Sequence, residues 1–118
     1  MPADANPNGD IFGGWVVGHM DQAGGIAGVE RSKGRVITVA IDAMTFIKPI
    51  RVGDVLEVYT EIENVGRTSI KIHIEAWAQR SYEHDKVPDA TFTFVHVGED
   101  GRPRAMPALE QDIGMPAG

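Results

Sequence analysis

This chain contains no cysteine among its 118 residues. That excludes disulfide staples, thiolate metal ligands and a cysteine nucleophile, and it is neutral towards a reducing compartment. Basic charge is scarce too: 11 Lys and Arg stand against 17 Asp and Glu, for a net charge of -6 at pH 7. No basic cluster is present to neutralise a phosphate backbone, so no nucleic-acid partner is expected. No apolar run approaches the roughly 20 residues that span a bilayer, so no membrane partner is expected either. The start, Met1-Pro-Ala-Asp-Ala-Asn6, lacks a basic region followed by an apolar one and does not read as a secretory leader. The simplest location is the cytoplasm. A phosphate-loop sequence and a dinucleotide fingerprint are also missing, and His19, His73, His84 and His96 show no metal-ligand spacing. No metal and no cofactor are expected, and all four histidines read as structural or surface residues.

What the chain does have is an unusual helix. Residues 1–12 are rich in turn formers and read as loop. From Gly13 to Arg31 there is no proline, and Val16, Val17, Met20, Ala23 and Ala27 recur at three- and four-residue steps. That periodicity predicts an amphipathic helix over 13–31, with Gly34 as its stop. Gly14, Gly18, Asp21, Gly25 and Gly28 follow one another at steps of four, three, four and three, which puts all five on one side. Each glycine costs a helix interior about 1 kcal/mol relative to alanine. A bare face holding one carboxylate therefore implies that something approaches it closely.

After Gly34 the period changes to two. Arg35 to Phe46 reads as a long, largely buried strand, ended by Lys48-Pro49. Leu56, Val58, Thr60 and Ile62 alternate with Glu57, Tyr59, Glu61 and Glu63, and Ile70, Ile72, Ile74 and Ala76 alternate with Lys71, His73, Glu75 and Trp77. Each run predicts a strand with one dry and one wet face. Residues 80–88 read as polar loop, 89–97 as a last strand with Phe92 and Phe94 on one face, and 98–118 as an irregular tail. Short connections between the strands, which together occupy 35–97, favour antiparallel neighbours. Their dry face needs a cover, and the 13–31 helix is the only element available. The expected fold class is α+β: one domain over 1–118, an antiparallel sheet wrapped around one long central helix.

Three groups of residues could carry chemistry. Asp21 on the bare face could act as general base or nucleophile, or could be no more than an edge carboxylate. Gly13 and Gly14 open the helix, where N–H groups lack partners and the dipole is positive, a place for an oxyanion or an anionic group. Gly66-Arg67-Thr68-Ser69 combines a turn glycine, a guanidinium and two hydroxyls, suited to phosphate oxygens. Lys48, Arg51 and Lys71 are further basic residues near turns, and solvated surface charge is the ordinary alternative for each. Gly14 and Asp21 are seven residues apart, roughly 10 Å along a helix axis, too far to act on one carbonyl carbon. If both are catalytic, they come from different subunits of a twofold dimer with antiparallel helices.

The run Asn6-Pro-Asn-Gly-Asp-Ile-Phe-Gly-Gly-Trp15, followed by Met20-Asp21-Gln-Ala-Gly, resembles the hotdog-fold acyl-CoA thioesterases, most closely the YciA type. The resemblance continues through Arg35-Val-Ile-Thr-Val, Phe46-Ile-Lys-Pro-Ile, Val52-Gly-Asp, Val65-Gly-Arg-Thr-Ser-Ile-Lys71, Ala90-Thr-Phe-Thr-Phe-Val95 and Asp100-Gly-Arg-Pro-Arg, about residues 2–107 in all. It implies the hotdog fold, a homodimer as the smallest active unit, and a hexamer built as a trimer of dimers. It implies an acyl-CoA substrate, hydrolysed to a free fatty or short-chain acid and coenzyme A. By the same resemblance Asp21 is the catalytic carboxylate, Asn6 contributes from the partner's loop, and the N–H near Gly14 polarises the carbonyl. Gly13, Lys48, Gly66, Arg67, Thr68 and Ser69 form the coenzyme A set in this reading, and Phe12, Trp15 and Met44 are candidates for the acyl tunnel. Family members carry a further apolar strand before the Met-Pro-x-Asp segment, so the expectation is either a start placed downstream or an empty edge position. Three rivals stand beside hydrolysis. One is a non-catalytic acyl-CoA binding or sensing module on the same fold. Another is a structural dimer without ligand. The third is hydration of an enoyl-CoA, which asks for an Asp/His pair that the sequence does not place.

Overall fold

The computed structural model describes residues 13–45, 48 and 50–108. Helix α1 (Gly13–Ser32) is followed by strands β1 (Arg35–Ile41), β2 (Val55–Val65), β3 (Ser69–Arg80) and β4 (Glu83–Val97). The strands form one sheet in the order β1-β4-β3-β2, every pair antiparallel. One face of α1 lies on the sheet and touches all four strands. The strand alternation decides which face is covered. Ile70, Ile72, Ile74 and Ala76 of β3 and Phe92 and Phe94 of β4 point inward and are buried with Val16 and Met20 of α1. The α+β arrangement expected from the periodicity is therefore the one formed.

The close seat of the helix depends on two glycines. A Cβ at Gly24 would lie 2.5 Å from Ile74 Cδ1 and 2.8 Å from Phe94 Cζ, and one at Gly28 would lie 3.2 Å from Val36 Cγ2. The helix runs one residue past the expected Arg31, to Ser32, and its stop is Lys33 rather than Gly34. Lys33 takes the left-handed conformation (φ 58°) while its N–H still reaches Val29 O at 2.9 Å, so the stop is a lysine in the position glycine usually fills.

Two strand assignments change. Residues 80–88 are not a loop: β3 runs to Arg80, Ser81 (φ 49°) and Tyr82 turn the chain, and β4 begins at Glu83. The polar stretch hid a strand because its wet residues pair across the hairpin, Glu83 with Arg80 and Lys86 with Trp77. Pro88 is tolerated because the register shifts between Glu75 and Trp77, a bulge where no ladder N–H is required. The first strand ends at Ile41 rather than Phe46, and instead of being buried it forms an edge. Its Ile37, Val39 and Ile41 are 42%, 52% and 42% exposed.

The tail is irregular but tied down as far as it is described. Gly98–Gly101 makes a turn, Pro103 bridges Val97, and the 104–107 segment crosses the end of the sheet. Among the described residues, no helix is long and apolar enough to cross a membrane.

Candidate active site

Asp21 sits near the middle of α1 on the flank beside β1, half-buried, and accepts a hydrogen bond from Thr38 Oγ1 at 2.5 Å. The helix carries no acidic residue in its first turn, so no side chain there offsets its positive end. Gly13 and Gly14 form that end. Around the carboxylate the helix surface is open. A Cβ at Gly14, Gly18 or Gly25 would meet none of the described residues within 4 Å, whereas one at Gly28 would meet Val36. The five-residue stripe therefore divides: four members line an open flank, and the last packs against the molecule's own sheet.

Thr38 is the residue that sequence reasoning missed. It lies in the edge strand within the run Val36-Ile-Thr-Val, 17 positions from Asp21. A lone hydroxyl in an apolar strand that follows directly after the helix was the available signal. Its hydroxyl donates to the carboxylate, which fixes the carboxylate's orientation.

Gly66-Arg67-Thr68-Ser69 forms the β2–β3 turn, closed by Gly66 N–H to Ser69 O at 2.8 Å. Ser69 Oγ folds back over Gly66, where a Cβ would lie 2.8 Å away, so a side chain at 66 would have to turn the serine hydroxyl aside. Arg67 is exposed and Thr68 half-buried. Thr68 O accepts from His96 N at 2.8 Å and Arg67 O from Met106 N at 2.7 Å. This turn lies at the end of the sheet where α1 finishes, because β3 starts here and pairs with Val95 while Arg35 pairs with Val97.

Lys48 lies elsewhere. Its Nζ is 3.1 Å from Asp85 Oδ1, beside Ala78, about nine residues along β3 from Ser69, or roughly 30 Å. Within one chain Lys48 and Arg67 are therefore not brought together. Lys48 borders a hollow of about 170 Å³ with Arg51, Ala78, Arg80, Glu83, Asp85 and Val87. Asp54 anchors this end, taking Arg80 Nε at 2.9 Å, Arg80 Nη2 at 2.7 Å and the Arg51 N–H at 2.9 Å. Burial pushes the Asp54 carboxyl up, but the Arg80 hydrogen bonds, the Arg51 amide and the two guanidinium charges outweigh it and hold it below its ordinary value.

Trp15 faces away from Asp21. It stacks near His19, ring centroids 4.3 Å apart, and lines a hollow of about 470 Å³ with Ile26, Leu56 and Val58 on the β2 side. Met44 packs half-buried against the core. Asn6 and Phe12 lie outside the described residues. Among the described residues, no group of three or more His, Asp or Glu side chains is placed to hold a metal ion.

A helix laid on a four-stranded antiparallel sheet is the arrangement this chain shares with the hotdog-fold thioesterases. The chain belongs to the thioesterase superfamily, whose family model matches residues 8–83. It is 44% identical over 112 residues to the acyl-CoA thioester hydrolase YciA of Escherichia coli (strain K12), covering 91% of this chain and 85% of that one. A hexameric thioesterase of Yersinia pestis superposes with a TM-score of 0.87 at 46% identity, over 92% of this chain and 89% of the other. A hexameric hotdog fold thioesterase of Campylobacter jejuni does so with 0.84 at 39%, over 91% and 84%.

Proposed function

We propose that this protein hydrolyses acyl-CoA thioesters at sites shared between two subunits. The observation that carries the reading is the carboxylate of Asp21, oriented by Thr38, on a helix flank whose glycines leave room for another surface. The open flank lies beside β1, whose outer edge pairs with no other strand among the described residues and whose Ile37, Val39 and Ile41 are exposed. Unpaired edges and exposed apolar side chains together favour association with a second copy. A twofold axis between the helices brings the Gly14 end of one chain to Asp21 of the other, since the roughly 10 Å between them along one helix prevents both from serving one carbonyl. Three such dimers make a hexamer, the assembly of the Yersinia pestis and Campylobacter jejuni thioesterases.

The thioester carbonyl lies at the Gly14 N–H, which with the helix dipole stabilises the negative charge developing on oxygen. Asp21 of the other subunit either takes a proton from water as it attacks or attacks the carbonyl itself. Asn6 orients the water or the substrate. In both routes the carbon–sulfur bond breaks and the thiolate leaves as coenzyme A after protonation; in the second, water then hydrolyses the acyl–Asp21 anhydride, which releases the acid and restores the carboxylate. Arg67, Thr68 and Ser69 hold phosphate oxygens of the coenzyme A half, with Gly66 and Gly13 allowing close approach. Lys48, ion-paired at the opposite end of its own chain, contributes only where the assembly brings it round to a neighbour's ligand.

The test is a panel of acyl-CoAs of increasing chain length, assayed for thiol release with enzyme in catalytic amounts. Turnover is expected, and Asp21→Asn should lower kcat by about a thousandfold or more while coenzyme A still raises the melting temperature. Tight binding without turnover in the native protein would make it a binding module instead.

A further inference from the structure

The sequence puts an imidazole where the β4 alternation demands an apolar side chain. Phe92, Phe94 and His96 share the inward face, and His96 is 6% exposed. A buried imidazole needs partners, and those of His96 join three separate pieces of chain. Its main-chain N–H donates to Thr68 O at 2.8 Å, and its main-chain O accepts from Arg104 N at 2.8 Å. Its Nδ1 lies 3.1 Å from Ala105 O. A carbonyl only accepts, so Nδ1 carries the proton. The Nε2 side of the ring lies against Gly34, where a Cβ would come within 2.5 Å of Nε2. Gly34, which the sequence suggested as the helix stop, is instead the floor under this ring.

The segment that His96 grips runs on to the coenzyme A turn. Met106 N donates to Arg67 O at 2.7 Å, and Arg31 Nη1 of the helix donates to Pro107 O at 2.5 Å. Both main-chain carbonyls of the turn are thus held: Thr68 O by the backbone N–H at position 96, which any residue there supplies, and Arg67 O through the strap that the His96 ring pins at Ala105. Arg67 itself is exposed, so its own side chain does little to hold the turn.

We propose that His96 is a positioning residue for coenzyme A: clamped over Gly34, it fixes the 103–107 strap against the β2–β3 turn and so aims Arg67 and Thr68 at the phosphate-bearing half of the substrate. This rests on the reading that the turn binds that half. The role is one of geometry, because the imidazole is spent on Ala105 O and the Gly34 backbone.

The experiment compares an acyl-CoA with the same acyl group on pantetheine, which lacks the phosphates and the nucleotide. His96→Leu and Gly34→Ala should each raise KM for acyl-CoA about tenfold, the scale of one lost contact to a charged group, and leave kcat within about twofold. Both parameters for the acyl-pantetheine should stay at native values. His96→Asn, whose amide nitrogen lies near the place of Nδ1, should restore most of the native KM. Arg67→Ala, run alongside, reports on the turn itself. A raised KM for Arg67→Ala with a native KM for both Gly34→Ala and His96→Leu would overturn the positioning role and leave the turn's role intact. Equal losses on both substrates would also overturn it, as general loosening of the fold. A native KM for Arg67→Ala would remove the turn as the coenzyme A site, and this proposal with it. If His96→Leu fails to fold, Gly34→Ala and His96→Asn decide the same comparison.

Discussion

On the flank of α1 that faces β3 and β4, a Cβ added at Gly24 would lie 2.5 Å from Ile74 and 2.8 Å from Phe94; on the flank beside β1, one added at Gly14, Gly18 or Gly25 would meet none of the described residues within 4 Å. Both flanks spend helix stability on glycine, about 1 kcal/mol at each position. On the first the return is visible, because the helix comes close enough to bury Phe92, Phe94 and Ile74 completely. On the second none of the described residues fills the space. Glycine in one helix thus serves packing on one side and leaves access on the other, and Asp21 lies on the accessible side.

That contrast breaks most visibly at Gly24. Gly24→Leu forces a side chain into a filled site and should lower unfolding free energy by about 3 kcal/mol, read from chemical denaturation. A loss under about 0.5 kcal/mol would mean that the seat is not tight. The same substitution at Gly18 should leave the fold of the chain intact, since the added side chain points into open space. It should abolish dimerisation in sedimentation analysis and lower hydrolysis at least about tenfold, because a partner's helix can no longer approach. A dimer that persists with full activity would show that the open flank faces solvent. The smallest effect belongs to Thr38→Val. Losing one hydrogen bond to a charged group should cost kcat about tenfold, with KM little changed. An unaltered kcat would make the Thr38–Asp21 contact incidental.

How far the sequence disclosed this molecule follows from what each signal depends on. The helix and the alternating runs of β2 and β3 are legible because period alone identifies them. The hairpin from Arg80 to Glu83 is not. Its outer residues are polar and Pro88 interrupts it, and both features are reconciled only by the cross-strand partners and the bulge. The exposure of β1 is equally hidden, since Val36-Ile-Thr-Val reads as interior whether its cover is its own chain or another. At the site, the glycine spacing singled out the open flank, and the resemblance attached a reaction to Asp21. The link to Thr38 depends on how α1 docks on the edge strand, across 17 residues, and no local pattern contains it. Gly24 was passed over for the same reason, because its neighbours Ile74 and Phe94 are distant in sequence.

The central claim is that each site takes Gly14 from one chain and Asp21 from another, and mixed subunits test it most directly. Gly14→Pro removes one N–H from the first turn of the helix, where proline is tolerated, and Asp21→Asn removes the carboxylate. Each variant alone should be inactive. Unfolded together and refolded as a mixture, half of the dimers combine the two chains, and each of those has one intact site. The account predicts recovery of about a quarter of native activity per chain. No recovery, with mixed dimers demonstrated by mass spectrometry, would contradict it and place both groups in a single chain's site.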